Sequence, residues 1–145
     1  DKRLPAQGPG RARNGNFVLS EFNAKAISAN KENAEALVMF TTATADYSQN
    51  GWPVASAQDQ KEDTGWGVAG AVGKSHIATF QTASQTPIQG GTTLIVTMSQ
   101  QFQDGQHSIG KFRLLAKQKK SDTTSVRTSA KPNTKNTQEK KTPNS

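Results

Sequence analysis

Three sets of residues in this chain have types and spacings that chemistry can use. The first is GPGRARNG, residues 8–15, in which three glycines bracket Arg11 and Arg13. A glycine-rich loop grips phosphate when it follows a strand and opens a helix, because its N–H groups and the helix dipole then face the anion. This loop instead runs into an apolar, β-prone segment, FVLSEF, and no GK[ST] follows, which excludes nucleotide binding. What remains is a corner loop in which Gly8, Gly10 and Gly15 are expected to take positive φ. Its two guanidiniums either tie to a carboxylate, with Glu21 and Asp59 as partners, or donate to the hydroxyls or carboxylate of a sugar. The second set is aromatic. Trp52, between Gly51 and Pro53, and nearby Tyr47 offer flat faces for stacking on sugar C–H groups, whereas Trp66 in GWG reads as core. The third set is acidic. Asp59, Glu62 and Asp63 lie close together in sequence, and calcium takes roughly six to eight oxygen ligands. Asp59 and Asp63 are the candidate calcium ligands.

The remaining chemistry is sparse. His76 and His107 are the only histidines, and without an HExxH spacing they read as hydrogen-bonded side chains at strand ends rather than metal ligands. The chain has no cysteine, which removes disulfides, thiolate zinc sites and a cysteine nucleophile. It has no G-x-S-x-G elbow, and nothing in the spacing of its carboxylates sets two of them at glycosidase separation. The chain reads as non-catalytic.

Strands must position these groups. Asn16 to about Ile27 reads as a strand, with Phe17, Leu19 and Ile27 on one side and Val18, Phe22, Ala24 and Ala26 on the other. ALVMFTTATADY, residues 36–47, is a second β-rich run. A polar connection from Ser48 to Thr64 leads to a short strand in TGWGVAGAV. SHIATFQT alternates cleanly, and TTLIVTMSQ sets Leu94, Val96 and Met98 opposite Thr93, Ile95 and Thr97. IQGG and the Asp104-Gly105 pair mark turns. HSIGKFRLLA is the expected last strand. ANKENAEAL is expected to be a loop. Six strands with almost no helix predict an all-β sandwich or jelly roll.

The 145 residues carry a formal charge of +7, unevenly spread. Residues 1–116 hold ten Lys/Arg against nine Asp/Glu, while residues 117–145 hold eight against two. A tail so poor in apolar residues is expected to be disordered, because it buries too little surface to offset its ordering entropy. It reads as a solvated linker or as a basic arm for an anionic polymer, with nucleic acid disfavoured because no aromatic is interleaved to stack on bases. No apolar run reaches the ~18 residues of a membrane span. With Asp at position 1 and no signal peptide in view, the chain reads as a piece of a longer protein whose targeting signal lies outside it.

Taken in order, LPAQGPGRARNGNFVLSEF, ADYSQNGWPVASAQD, GWGVAGAVGKSHIATFQT, GGTTLIVTMSQQF and HSIGKFRLLA resemble the discoidin-like, galactose-binding-like module of large planctomycete proteins that carry cytochrome c domains. The resemblance spans about residues 4–116. It implies a discoidin-like jelly-roll β-sandwich and an accessory role, carbohydrate or polysaccharide binding, in a periplasmic or extracellular protein, often with a structural calcium ion. It also implies a strand ahead of the LPAQGPGR loop, so that a sheet edge is expected to stand open here. Asp59-Gln60 stands where the related modules often have Asp-Gly, so that a tight turn there loses its glycine, which puts a metal loop at that place in doubt. The expected ligand-binding residues are Trp52, Arg11, Arg13, Tyr47 and Asp59. The competing expectation is a structural spacer or docking domain without a ligand of its own.

Overall fold

The computed structural model of the protein describes residues 1–29, 34–83 and 91–117. Its contacts group Asp1–Leu114 into one compact unit and Leu115–Ser145 into a second, of which residues 115–117 are described. The expected disorder of the tail and most of the IQGG turn lie outside the described residues, as do residues 30–33 of ANKENAEAL; the described end of that segment, Glu35–Leu37, is a strand and not the expected loop, because it pairs with Lys25–Ile27.

The first unit is all-β. Its seven strands are β1 (Val18–Leu19), β2 (Glu21–Ser28), β3 (Glu35–Leu37), β4 (Phe40–Ala45), β5 (Trp66–Gly67), β6 (Ala78–Thr82) and β7 (Thr92–Ser99); two short 3-10 turns, Pro5–Gln7 and Val54–Gln58, are the only helical pieces among the described residues. None of these is long and apolar enough to cross a membrane. The strands form three antiparallel sheets ordered β1-β5, β3-β2-β7 and β4-β6.

Side chains on one face of β2 hold the larger sheets together. Ala24 and Ala26 are buried there, and the Phe22 ring stacks on Phe80 of β6 at 4.0 Å, nearly parallel, with Phe40 of β4 tilted against both. Aromatic pairs of this kind contribute about 0.5–1.5 kcal/mol beyond their buried area. A second cluster, Phe17, Leu19, Val54, Ala57, Trp66 and Val68, forms the main core, with Phe17 edge-on to Trp66 at 5.0 Å. Trp66 is core, as its GWG context predicts. In β6 the alternation read from sequence is present, with Ala78 and Phe80 half-buried and Thr79 and Gln81 exposed; in β7 it holds for Val96 and Met98 against Ile95 and Thr97, but Leu94, expected on the side of Val96 and Met98, is exposed near the start of the strand.

Three further expectations need correction. The Asn16–Ile27 run is two strands in different sheets. Phe17, Val18 and Leu19 are all buried, so no alternation exists there, and the chain changes partner at Ser20, whose N–H donates to the Ser99 carbonyl at 2.9 Å. The 36–47 run likewise divides into β3 and β4. At the break, Val38 donates its N–H to Ala24 O and Val38 alone is buried. Finally, HSIGKFRLLA is not a strand. Its only bridge is Ile109 opposite Gly10, and beyond it Phe112 and Leu114 are 59% and 49% exposed.

Candidate functional site

The GPGRARNG loop is a corner set by steric contact. Gly15 N–H donates to Ala12 O at 2.7 Å and Gly10 N–H to Gly15 O at 3.0 Å, which folds residues 10–15 into a tight excursion. Only Gly15 has positive φ, at 79°. Gly8 and Gly10 are glycine for another reason. A Cβ on Gly8 would lie 2.3 Å from Gly15 O, and one on Gly10 would lie 1.7 Å from Asn16 O. Close backbone approach therefore replaces the expected positive φ at these two positions.

The base of this loop is zipped to the segment after the Asp-Gly turn. Arg11 N–H donates to Ser108 O, Gly110 N–H to Pro9 O and Val18 N–H to His107 O, all at 2.8 Å. The pairing brings the tip of the glycine-rich loop beside the tip of the 102–107 turn. That turn closes through Gly105 N–H to Phe102 O at 2.9 Å, with Gly105 at φ 64° as the sequence DG requires. Between the two tips lies an open cleft of about 470 Å³, lined by Ala12, Arg13, Asn14, Asp104, Gln106 and His107.

Asp104 organises the turn side of the cleft. Its Oδ1 accepts the Gln106 N–H at 2.9 Å, and its carboxylate accepts His107 Nδ1–H at 2.8–2.9 Å. The His107 bond, helped by the Gln106 amide, holds the Asp104 carboxyl below the usual aspartate range. The His107 ring lies edge-to-face with Phe102 at 4.7 Å, and Phe102 lies edge-to-face with Trp52 at 5.3 Å. A chain of three rings thus runs from the cleft to Trp52. Trp52 is held by a tight turn: its N–H donates to Gln49 O at 2.9 Å and its carbonyl accepts Gly67 N–H at 3.3 Å.

The buried carboxamide of Asn16 supports this loop from beneath. Its Oδ1 accepts Val68 N–H at 2.9 Å and its Nδ2 donates to Gln49 Oε1 at 3.3 Å, while Gln49 Oε1 also accepts Ala69 N–H at 3.1 Å. One polar cluster therefore ties the end of the glycine corner to the Trp52 turn and to the segment after β5.

Of the five expected ligand-binding residues, Arg13 lines the cleft and Trp52 reaches it through Phe102 and His107. Arg11 is exposed on the same loop, at the zipped base. The expected ion pairs of these arginines with Glu21 and Asp59 do not form, because both carboxylates belong to a different turn. Asp59 accepts the Lys61 N–H at 3.0 Å and the Thr64 hydroxyl at 2.8 Å, which closes residues 59–64. In that turn Gln60 has φ 63°, the left-handed conformation that favours glycine. Glu21 faces the same turn. Burial, and then the neighbouring Asp59 charge, push its carboxyl up against the opposing pull of the Gln60 and Lys61 amides. Its Oε1 is buried without a hydrogen bond. Tyr47 lies half-buried and is spent on structure, donating its hydroxyl to Ala69 O at 3.0 Å and accepting Trp66 Nε1–H on its carbonyl at 2.9 Å. Asp63 is exposed, and among the described residues no group of three or more His, Cys, Asp or Glu side chains converges on one point.

His76 behaves as a hydrogen-bonded side chain near the start of β6. Its side chain is 1% exposed, with Nδ1 on Asp46 at 3.1 Å and Nε2 on Ala71 O at 2.7 Å. Burial pushes the Asp46 carboxyl up, but the Ile77 N–H and His76 outweigh it and leave it below its ordinary value. His107 serves instead at the cleft, together with Asp104, Gln106, Asn14 and Phe102, which sequence reasoning did not single out. The one available signal was QDGQH, because an Asp-Gly turn sets Asp and a histidine three residues on side by side. Comparison of the chain with family models, with curated proteins and with solved structures found no match.

Proposed function

We propose that the protein is a non-catalytic carbohydrate-binding module of a larger periplasmic or extracellular protein, built as a discoidin-like jelly-roll sandwich. The observation that carries this reading is the juxtaposition of the Trp52–Phe102–His107 ring chain with a cleft of polar side chains between two loop tips. Sugars present C–H faces that pack on aromatic rings and hydroxyls that bond to planar polar groups, and loop tips on a rigid β scaffold are where such groups gather. Calcium, with Asp59 and Asp63 as ligands, remains part of the proposal as a structural ion rather than a participant in sugar binding.

The test is binding of the protein to a glycan and polysaccharide panel, first with calcium and then with chelator. Saturable binding to a defined glycan is the expected result. Trp52→Ala should weaken it by about 1–3 kcal/mol if the indole is a central anchor. No binding by a demonstrably folded protein overturns the reading. It would favour the docking role, whose supporting observation is the exposure of Phe112 and Leu114, 59% and 49%, in the segment beyond the last bridge.

A further inference from the structure

The hydrogen-bonding capacity left open in the cleft is unbalanced, and the imbalance names a ligand class. Asn14 Oδ1 already accepts the Asn16 N–H at 3.1 Å, so what Asn14 has left to offer is its Nδ2 donor pair. Asp104, the one carboxylate of the cleft, already accepts the Gln106 N–H and His107 Nδ1–H. Arg13 forms no ion pair among the described residues and carries five N–H donors in a planar fork. The Gln106 amide adds a donor and an acceptor. His107, with Nδ1 spent on Asp104, adds an acceptor when neutral and a donor when charged. The donors in excess are concentrated at Arg13 and Asn14, on one lip.

We infer that the cleft takes an acidic sugar, a glycan residue bearing a carboxylate, with the Arg13 guanidinium gripping that carboxylate and the ring chain beside it receiving the sugar's apolar face. The inference rests on the carbohydrate-binding reading and narrows it. A planar guanidinium matches a carboxylate through two parallel N–H···O bonds, which a neutral hydroxyl does not reproduce. A neutral sugar would leave Arg13 with solvent as its partner and gain nothing from its charge. The spent Asp104 matters equally. With its lone pairs engaged by His107 and Gln106, it opposes an incoming carboxylate less than a free aspartate would.

The test uses the full chain and two probes of identical linkage, an oligogalacturonate and its carboxyl-reduced, neutral counterpart, in titration calorimetry at several salt concentrations. The expected result is at least about tenfold tighter binding of the acidic probe, since a hydrogen-bonded charge contributes that much in affinity. Arg13→Gln should abolish the preference for the acidic probe, and Arg13→Lys should retain only part of it. Arg13 is exposed, so thermal melts of both variants should match the parent. Equal affinity for both probes overturns the acidic-sugar inference and leaves carbohydrate binding standing. A preference that persists in Arg13→Gln and falls steeply with salt transfers the acidic contact to the basic residues 117–145 and overturns the cleft as its place. Binding of neither probe overturns the acidic-sugar inference, while the glycan and polysaccharide panel alone decides carbohydrate binding.

Discussion

Replacing Asn16 by alanine should cost this protein a large share of its stability, and the amount can be worked from the contacts. Among the described residues the Asn16 side chain is the acceptor for the N–H of Val68, a residue with no exposed surface, so water cannot replace it. A buried amide stripped of its partner costs about 1–3 kcal/mol. The lost carboxamide also leaves Gln49 Oε1 with Ala69 N–H alone and opens a small void in the main core, which brings the expected loss to about 2–4 kcal/mol. Typical domains hold only about 5–15 kcal/mol in all. Urea unfolding followed by tryptophan fluorescence should therefore show a lower midpoint with an unchanged slope.

A second substitution sharpens the test. Asn16→Asp keeps the acceptor for Val68 N–H but sets a carboxylate against the Gln49 carboxamide oxygen. If the Gln49 amide flips to donate, Ala69 N–H loses its acceptor instead. Either way one bond is lost, and a buried charge is added, so the aspartate should destabilise at least as much as alanine at pH 7. A loss below about 0.5 kcal/mol in Asn16→Ala would refute the reasoning, because it would mean that the backbone around Val68 relaxes to another partner at little cost.

Four other substitutions probe separate parts of the scheme. Gly10→Ala puts a Cβ 1.7 Å from Asn16 O and should abolish folding or cost more than about 3 kcal/mol, whereas Gly51→Ala, with φ 80° and nothing near its Cβ, should cost only about 1–2 kcal/mol by the same urea assay. Asp104 and Asp46 have carboxyls held below their ordinary range, so their stabilisation is complete above the unfolded aspartate pKa and disappears as pH falls through the lower folded values. Melting temperature measured below about pH 4 should accordingly fall less steeply in Asp104→Asn than in the parent. Glu21 has the opposite sign: its raised pKa means that the ionised carboxylate destabilises the fold above that pKa and that the penalty fades as pH falls toward the ordinary glutamate value. Glu21→Gln should raise the melting temperature at pH 7, with the gain shrinking toward pH 4.5, the ordinary value.

Local periodicity carried the part of the fold that depends on local periodicity. The class, the faces of β6 and of the second half of β7, the Asp-Gly turn and the core position of Trp66 all follow from residue type and a repeat of two. The two divided runs do not, because Phe17, Val18 and Leu19 are buried on both faces and leave no alternation to show where one sheet ends and another begins. The failed last strand has the opposite cause. KFRLLA has strand-like composition, but a strand also needs a partner, and the backbone groups of residues 107–110 go to Pro9, Arg11 and Val18 instead. The site suffered from the same distance. Arg13 and His107 stand near opposite ends of the first unit, and only the zip between residues 9–11 and 108–110 makes them neighbours.

Corner and binding loop looked like alternatives for GPGRARNG, yet the geometry lets one loop serve the first role and remain open to the second. The loop is compact because Gly8 and Gly10 let its backbone lie against Gly15 and Asn16 with no room for a side chain. Backbone hydrogen bonds at Gly10, Arg11 and Gly15, with the Asn14 side chain accepting the Asn16 N–H, fasten it. A loop fastened that way needs no guanidinium to hold it. Had Arg11 and Arg13 paired with Glu21 or Asp59, their donors would have been consumed in building the corner. Instead those carboxylates serve the 59–64 turn, at the expense of a left-handed Gln60 and a buried, unbonded Glu21 oxygen. The separation of the two turns is what leaves Arg13 at the cleft with its fork open. Gln60→Gly tests that separation directly. It relieves about 1–2 kcal/mol of left-handed strain against about 0.5–1 kcal/mol of added chain entropy, so stability should hold or rise slightly while glycan affinity stays unchanged. A drop in affinity would show that the 59–64 turn and the cleft are coupled, and the account of Arg13 as a group freed by the corner alone would fail.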